Sequence, residues 1–65
     1  MSYTLTEMYL LQRLQDRKVS YNAMAEILGL LQHENQQWEL MSFLNTSFDA
    51  TEAQILKQAK KIAAK

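Results

Sequence analysis

The chain has no cysteine, no proline and a single glycine in 65 residues. Without cysteine there is no disulfide and no thiolate metal site. The one histidine, His33, cannot assemble a zinc site by itself. Proline and glycine are depleted inside helices and needed in hairpins, and no run alternates apolar and polar residues with β-branched enrichment. The composition is that of an all-α protein. An excess of either charge is also missing, since seven Lys and Arg balance seven Asp and Glu. A formal charge of zero argues against dominant non-specific attraction to nucleic acid or to an anionic membrane. The longest apolar run, Ile27 to Leu31, is far shorter than the roughly 20 residues that cross a bilayer. The amino-terminal stretch MSYTLTEMY lacks the basic and apolar regions of a signal peptide. The expectation is a soluble, cytoplasmic protein.

What is present is apolar surface, at 48% of the residues. The chain reads as one small domain over residues 1–65, and a domain of this size buries only about 60% of the surface its unfolded chain exposes. Self-association is a natural way to enlarge such a core. The most apolar stretch is Tyr21 to Leu31, YNAMAEILGLL. On a helix, Tyr21, Met24, Ala25, Leu28 and Leu31 form one stripe, and Ala23, Ile27 and Leu30 the next. A helix apolar on so many sides is expected to be covered from more than one direction.

Start signals divide the chain into a compact bundle of four short helices, at about 4–17, 20–31, 34–45 and 49–64. Thr4 and Glu7 fit a capping box, with Tyr3 and Met8 spaced for a hydrophobic staple. Ser20 is an N-cap for the second helix. Asp49 with Glu52 three residues on predicts the cap of the fourth, with Phe48 and Ala53 as staple. Inner faces are expected at Met8, Leu10, Leu11 and Leu14, at Trp38, Leu40, Met41, Phe43 and Leu44, and at Ile55, Leu56, Ala59, Ile62 and Ala63. Gly29 is open to two readings. In a left-handed conformation it ends the second helix, whereas within the helix it lets another element approach closely.

Candidate chemistry is sparse. Nucleophilic catalysis needs a nucleophile, a base and an orienting group in one pocket. Here Ser20, Ser42 and Ser47 read as caps, turn or surface, and His33 lies in a polar segment. The carboxylates read as caps or exposed positions, and no glycine-rich phosphate loop is present. The expectation is a protein that is not an enzyme and carries no cofactor, metal or small-molecule substrate. The apolar residues point elsewhere. Tyr9-Leu10-Leu11 spans more than one face of its helix, and the chain holds more large apolar side chains than a core of this length hides. Tyr9, Trp38, Met41 and Phe43 are the expected anchors of a protein-binding surface, because aromatic anchors tend to dominate binding energy. A regulatory or accessory factor of bacterial or phage type would fit, with a homodimer as its simplest version.

A second reading starts from Ala25-Glu26-Ile27-Leu28-Gly29-Leu30. This stretch resembles the end of the first helix and the turn of a helix-turn-helix DNA-binding motif, in which a small residue stands four positions before a turn glycine. The resemblance implies that Gln32 to Gln37 open a recognition helix, with Gln32, Asn35 and Gln36 able to read adenine edges. Lys57, Lys60 and Lys61 would then meet phosphates, together with Arg13, Arg17 and Lys18. The pattern departs from the family at Asn35, where a buried aliphatic residue is wanted. Glu34 and Glu39 would face phosphates, which is unfavourable.

Overall fold

The computed structural model describes residues 2–65, in which four helices follow one another: α1 Leu5–Asp16, α2 Tyr21–Leu30, α3 Glu34–Thr46 and α4 Glu52–Ala63. The expected all-α bundle is what forms. Thr4 caps α1 through the capping box with Glu7, and Ser20 caps α2 by accepting from the Ala23 amide. The fourth helix begins later than expected. Thr51 is its N-cap and Gln54 completes the capping box, while Asp49 lies in the preceding turn. The sequence contains two overlapping cap patterns, and Glu52 is taken up elsewhere. Its carboxylate accepts from the amide and hydroxyl of Ser20 at 2.7 and 3.2 Å, tying the starts of α2 and α4.

Side-chain ties fix the directions of the helices. Thr6 donates to Glu34 near the starts of α1 and α3, Arg13 donates to Asn45 further along, and Arg17 reaches the carbonyls of Leu44 and Ser47 at the ends. Helices α1 and α3 therefore run side by side in the same direction. Helices α2 and α4 do the same, with Glu26 and Lys60 3.9 Å apart beyond the Ser20–Glu52 tie. Lys65 returns to pair with Glu39, so α4 runs against α3. Around the bundle the order is α1, α2, α4, α3, with α1 opposite α4 and α2 opposite α3 across the core. Successive helices thus alternate in direction while two neighbouring pairs run parallel, a choice that helix periodicity leaves open.

The core is aliphatic. Leu10, Leu14, Ile27, Leu31, Leu40, Leu44, Ile55 and Ile62 are fully buried, and Ala59 lets α4 sit close. Helix α2 is packed by α1 and α4, yet only part of its apolar surface is used. Ala23, Met24 and Ile27 face the core, while Tyr21 and Ala25 remain exposed. Two connections show how tightly the chain turns. After α1, the Lys18 amide donates to Gln15 O and the Val19 amide to Leu14 O, a Schellman closure. It places Lys18 at φ 58°, a left-handed position usually filled by glycine. After α2, Gln37 reaches back from α3 and donates to Leu31 O at 2.8 Å. Gln37 ends the polar run Gln32 to Gln37, QHENQQ, yet it is 3% exposed. No helix among the described residues is long and apolar enough to cross a membrane.

Gly29 adopts the helical reading. It is the penultimate residue of α2, its φ is not positive, and a Cβ added there would meet nothing within 4 Å. The helix continues through Leu30 and ends at Leu31, whose buried side chain holds the chain down while its backbone turns.

Candidate functional site

Helix α1 presents two apolar faces. Leu10 and Leu14 point inward and Leu11 is half-buried, as the spacing predicts, whereas Met8, expected on the same face, is exposed because it lies on the opposite side of the helix from them. The stripe Leu5, Met8, Tyr9, Gln12 and Asp16 lies on the opposite side, at i, i+3, i+4, i+7 and i+11. Leu5 is 63% exposed and Tyr9 52%. At about 25 cal/mol per Å² of apolar surface removed from water, leaving such side chains wet forgoes roughly 1–2 kcal/mol each. A solvated α1 gains nothing from Leu5, Met8 and Tyr9 that Lys, Glu or Gln would not supply.

The parallel seam with α3 extends this face. Tyr9 belongs to the same helical stripe as Thr6 and Arg13, and Trp38 to the same stripe as Glu34 and Asn45. Since Thr6 bonds Glu34 and Arg13 bonds Asn45, Tyr9 and Trp38 stand at the same level along the seam. Both remain half exposed, Trp38 at 51%. On the other flank, where α1 meets α2, an open crevice of about 230 Å³ is lined by Tyr3, Leu11, Tyr21, Met24, Ala25 and Leu28, with Gln15 as its polar member. An apolar band thus crosses the molecule from Trp38 over α1 to Tyr21.

The expected anchors separate. Tyr9 and Trp38 both border the α1–α3 seam, at the level set by the Thr6–Glu34 and Arg13–Asn45 bonds. Met41 is 3% exposed and belongs to the core, so no partner reaches it. Phe43 is half-buried on the far side of α3, where a broad groove of about 730 Å³ also holds Phe48, Lys57 and Lys61. Leu5 was not among the anchors expected from sequence. Its position opposite the Leu10–Leu14 stripe is the signal that finds it, because an apolar residue there has no core to join.

The residues of the DNA reading are scattered and partly engaged. Gln32 donates to Gly29 O at 3.1 Å, and Gln36 accepts from the His33 amide at 3.2 Å, so both side chains serve helix ends. Asn35 is exposed. Lys60 faces Glu26, while Lys57 and Lys61 border the groove beside Phe43. Arg13 and Arg17 lie at the last turn of α3, beside Asn45 and Ser47 and away from Gln32, Asn35 and Gln36 at its start. There Arg17 holds the last turn of α3 and lies over the Phe48 ring at 5.9 Å. Its guanidinium supplies donors to carbonyls that have no partner within their own helix.

Comparison with protein-family models, with curated proteins and with solved structures gives no match to this chain. Every buried side-chain nitrogen and oxygen among the described residues has a hydrogen-bond partner, and no three His, Cys, Asp or Glu residues there are grouped to hold a metal ion.

Proposed function

We propose that this chain is a small helical binding protein, a regulatory or accessory factor that acts by engaging another protein through the outward face of α1. The observation that carries the reading is the stripe Leu5, Met8 and Tyr9, continued by Trp38 across the seam, all at the surface of a domain with an aliphatic core of its own. Contiguous exposed apolar surface of this kind marks interaction sites on small soluble proteins. Tyr9 and Trp38 are the anchors, rigid rings that bury much area at low entropic cost. The action is binding rather than catalysis, and a cytoplasmic setting belongs to the same proposal.

Support over the DNA-binding alternative comes from charge and from Gly29. Arg13 and Arg17 are held at Asn45, Leu44 and Ser47, and Lys65, the cation beside Asn35 and Gln36, is paired with Glu39, whereas a DNA reader needs free cations where the bases are read. A helical Gly29 also lacks the left-handed turn on which the alternative leans. The test compares two baits, wild type and Leu5→Glu/Tyr9→Glu, in the same extract. A partner held by wild type and released by the double variant, with both baits equally folded by circular dichroism, is the expected outcome. Equal retention on both baits would sink the reading. Titration of a random DNA duplex at rising salt serves as the control. Binding that weakens steeply with salt would move DNA to first place.

A further inference from the structure

We propose that the partner of the α1 face is a second copy of this chain. The two copies are related by a two-fold axis running along α1, and Trp38 of each sits in the α1–α2 crevice of the other. The inference rests on the reading of α1 as a protein-binding face and specifies what covers it.

The surface carries both halves of a self-complementary contact. A large exposed side chain, Trp38, stands on the α3 flank of α1, and a mostly apolar crevice, with Gln15 at its wall, opens on the α2 flank. A two-fold axis parallel to α1 exchanges the flanks, so each Trp38 meets the opposite crevice. An axis across α1 would instead set Trp38 against Trp38 and leave both crevices open. The levels agree as well. Trp38 lies between the Thr6–Glu34 and Arg13–Asn45 bonds, and the crevice takes Tyr3, Leu11 and Gln15 from the α1 side, a span that includes the same level. Leu5, Met8 and Tyr9 fall between the flanks, near the axis, where each meets its own counterpart as an isologous interface requires.

Size and charge fit this occupant. A crevice of about 230 Å³ suits one large side chain, being smaller than the ~300–1,000 Å³ of small-molecule sites. The exposed parts of Tyr3, Leu5, Met8, Tyr9 and Trp38 amount to roughly 600 Å², and with a polar rim the face approaches the ~800 Å² per partner of a standard interface. Formal charge is zero, so two copies carry no net repulsion. Asp16, the one charge on the stripe, stands at its exposed far end, where water screens it. A 65-residue chain without disulfides also gains from a core shared between copies.

The experiment uses the single tryptophan as reporter, with sedimentation equilibrium and Trp38 emission followed from micromolar to millimolar chain. Wild type is expected to dimerise with a blue shift in emission. Trp38→Ala removes the knob and Ala25→Phe fills the crevice. Each is expected to weaken dimerisation by about tenfold or more while keeping the helical circular dichroism. Mixing the two variants is the decisive step. A copy with an intact crevice and a copy with an intact Trp38 restore one of the two contacts, so the mixture should associate more tightly than either variant alone. A mixture no tighter than its components overturns the arrangement. A wild type that stays monomeric overturns self-pairing and leaves the α1 face to the bait comparison. A dimer indifferent to Trp38→Ala and Ala25→Phe but lost in Leu5→Glu overturns the pairing geometry while keeping the face. One indifferent to all three overturns both.

Discussion

Helices α1 and α4 have the same length, 12 residues, and both start with a threonine capping box. They differ in what they show to water. Helix α4 buries Ile55, Ala59 and Ile62 and exposes Gln54, Lys57, Lys60 and Lys61. Helix α1 buries Leu10 and Leu14 along with a threonine, Thr6, and exposes Leu5, Met8 and Tyr9. The inner faces do equal service to one core, so the fold explains α4 completely and α1 only by half. A protein that needed α1 merely as a wall of the bundle would have no use for an apolar outer stripe. The contrast teaches that the exposed side of an element is informative once its buried side is accounted for.

The largest effects should come from treating the two inner faces alike. Leu10→Ala in α1 and Ile62→Ala in α4 each open a cavity at a fully buried site, and each is expected to cost about 2–5 kcal/mol. Urea titration should show a lower midpoint with little change in slope. A much smaller cost at Leu10 would break the claim that α1 is an equal wall of the core.

Arg17 is next. Its bonds to the Leu44 and Ser47 carbonyls join the end of α1 to the end of α3, so Arg17→Ala should destabilise by about 2 kcal/mol, in the range of hydrogen bonds to charged groups. Arg17→Lys should recover only part, since one ammonium cannot reproduce the planar fork. Thermal melts of both variants measure the difference.

The outer faces sharpen the comparison directly. Leu5→Glu and Tyr9→Glu are expected to change stability by no more than about 0.5 kcal/mol, as surface substitutions do, while weakening association roughly tenfold or more. Lys57→Glu and Lys61→Glu on α4 should leave association unchanged. Equal losses on both helices would erase the distinction between them.

The smallest effects are gains. Gly29→Ala should stabilise by about 0.5–1 kcal/mol, because the site is helical and open to a Cβ. Lys18→Gly should gain a few tenths up to about 1 kcal/mol by relieving a left-handed lysine. A loss at Gly29→Ala, read from the melting temperature, would favour a turn glycine and with it the DNA alternative.

Much of this was legible in the residues. Caps at Thr4 and Ser20 and the aliphatic inner stripes follow from local hydrogen bonding and a 3.6-residue period, neither of which needs a partner element. The cap at Thr51 instead of Asp49 was not legible, because two overlapping patterns satisfy the same local rule. What decided between them involves Ser20, more than thirty residues away. The anchors split for a similar reason. On the α3 wheel Met41 lies beside Leu40 and Leu44 while Trp38 and Phe43 fall on opposite flanks, and which flank is covered depends on where α1 and α4 sit against α3. Gln37 shows the limit most plainly, since its burial depends on a carbonyl of Leu31 that only the turn between α2 and α3 brings within reach.

An all-α chain in four segments with no disulfide or thiolate chemistry follows from the residues alone, because composition and short-range periodicity set those properties. The tertiary structure decided the parallel pairing of α1 with α3, the helical state of Gly29 and the band joining Trp38 to the α1–α2 crevice. Those follow from which stripe meets which neighbour, a relation between distant segments that local spacing does not encode.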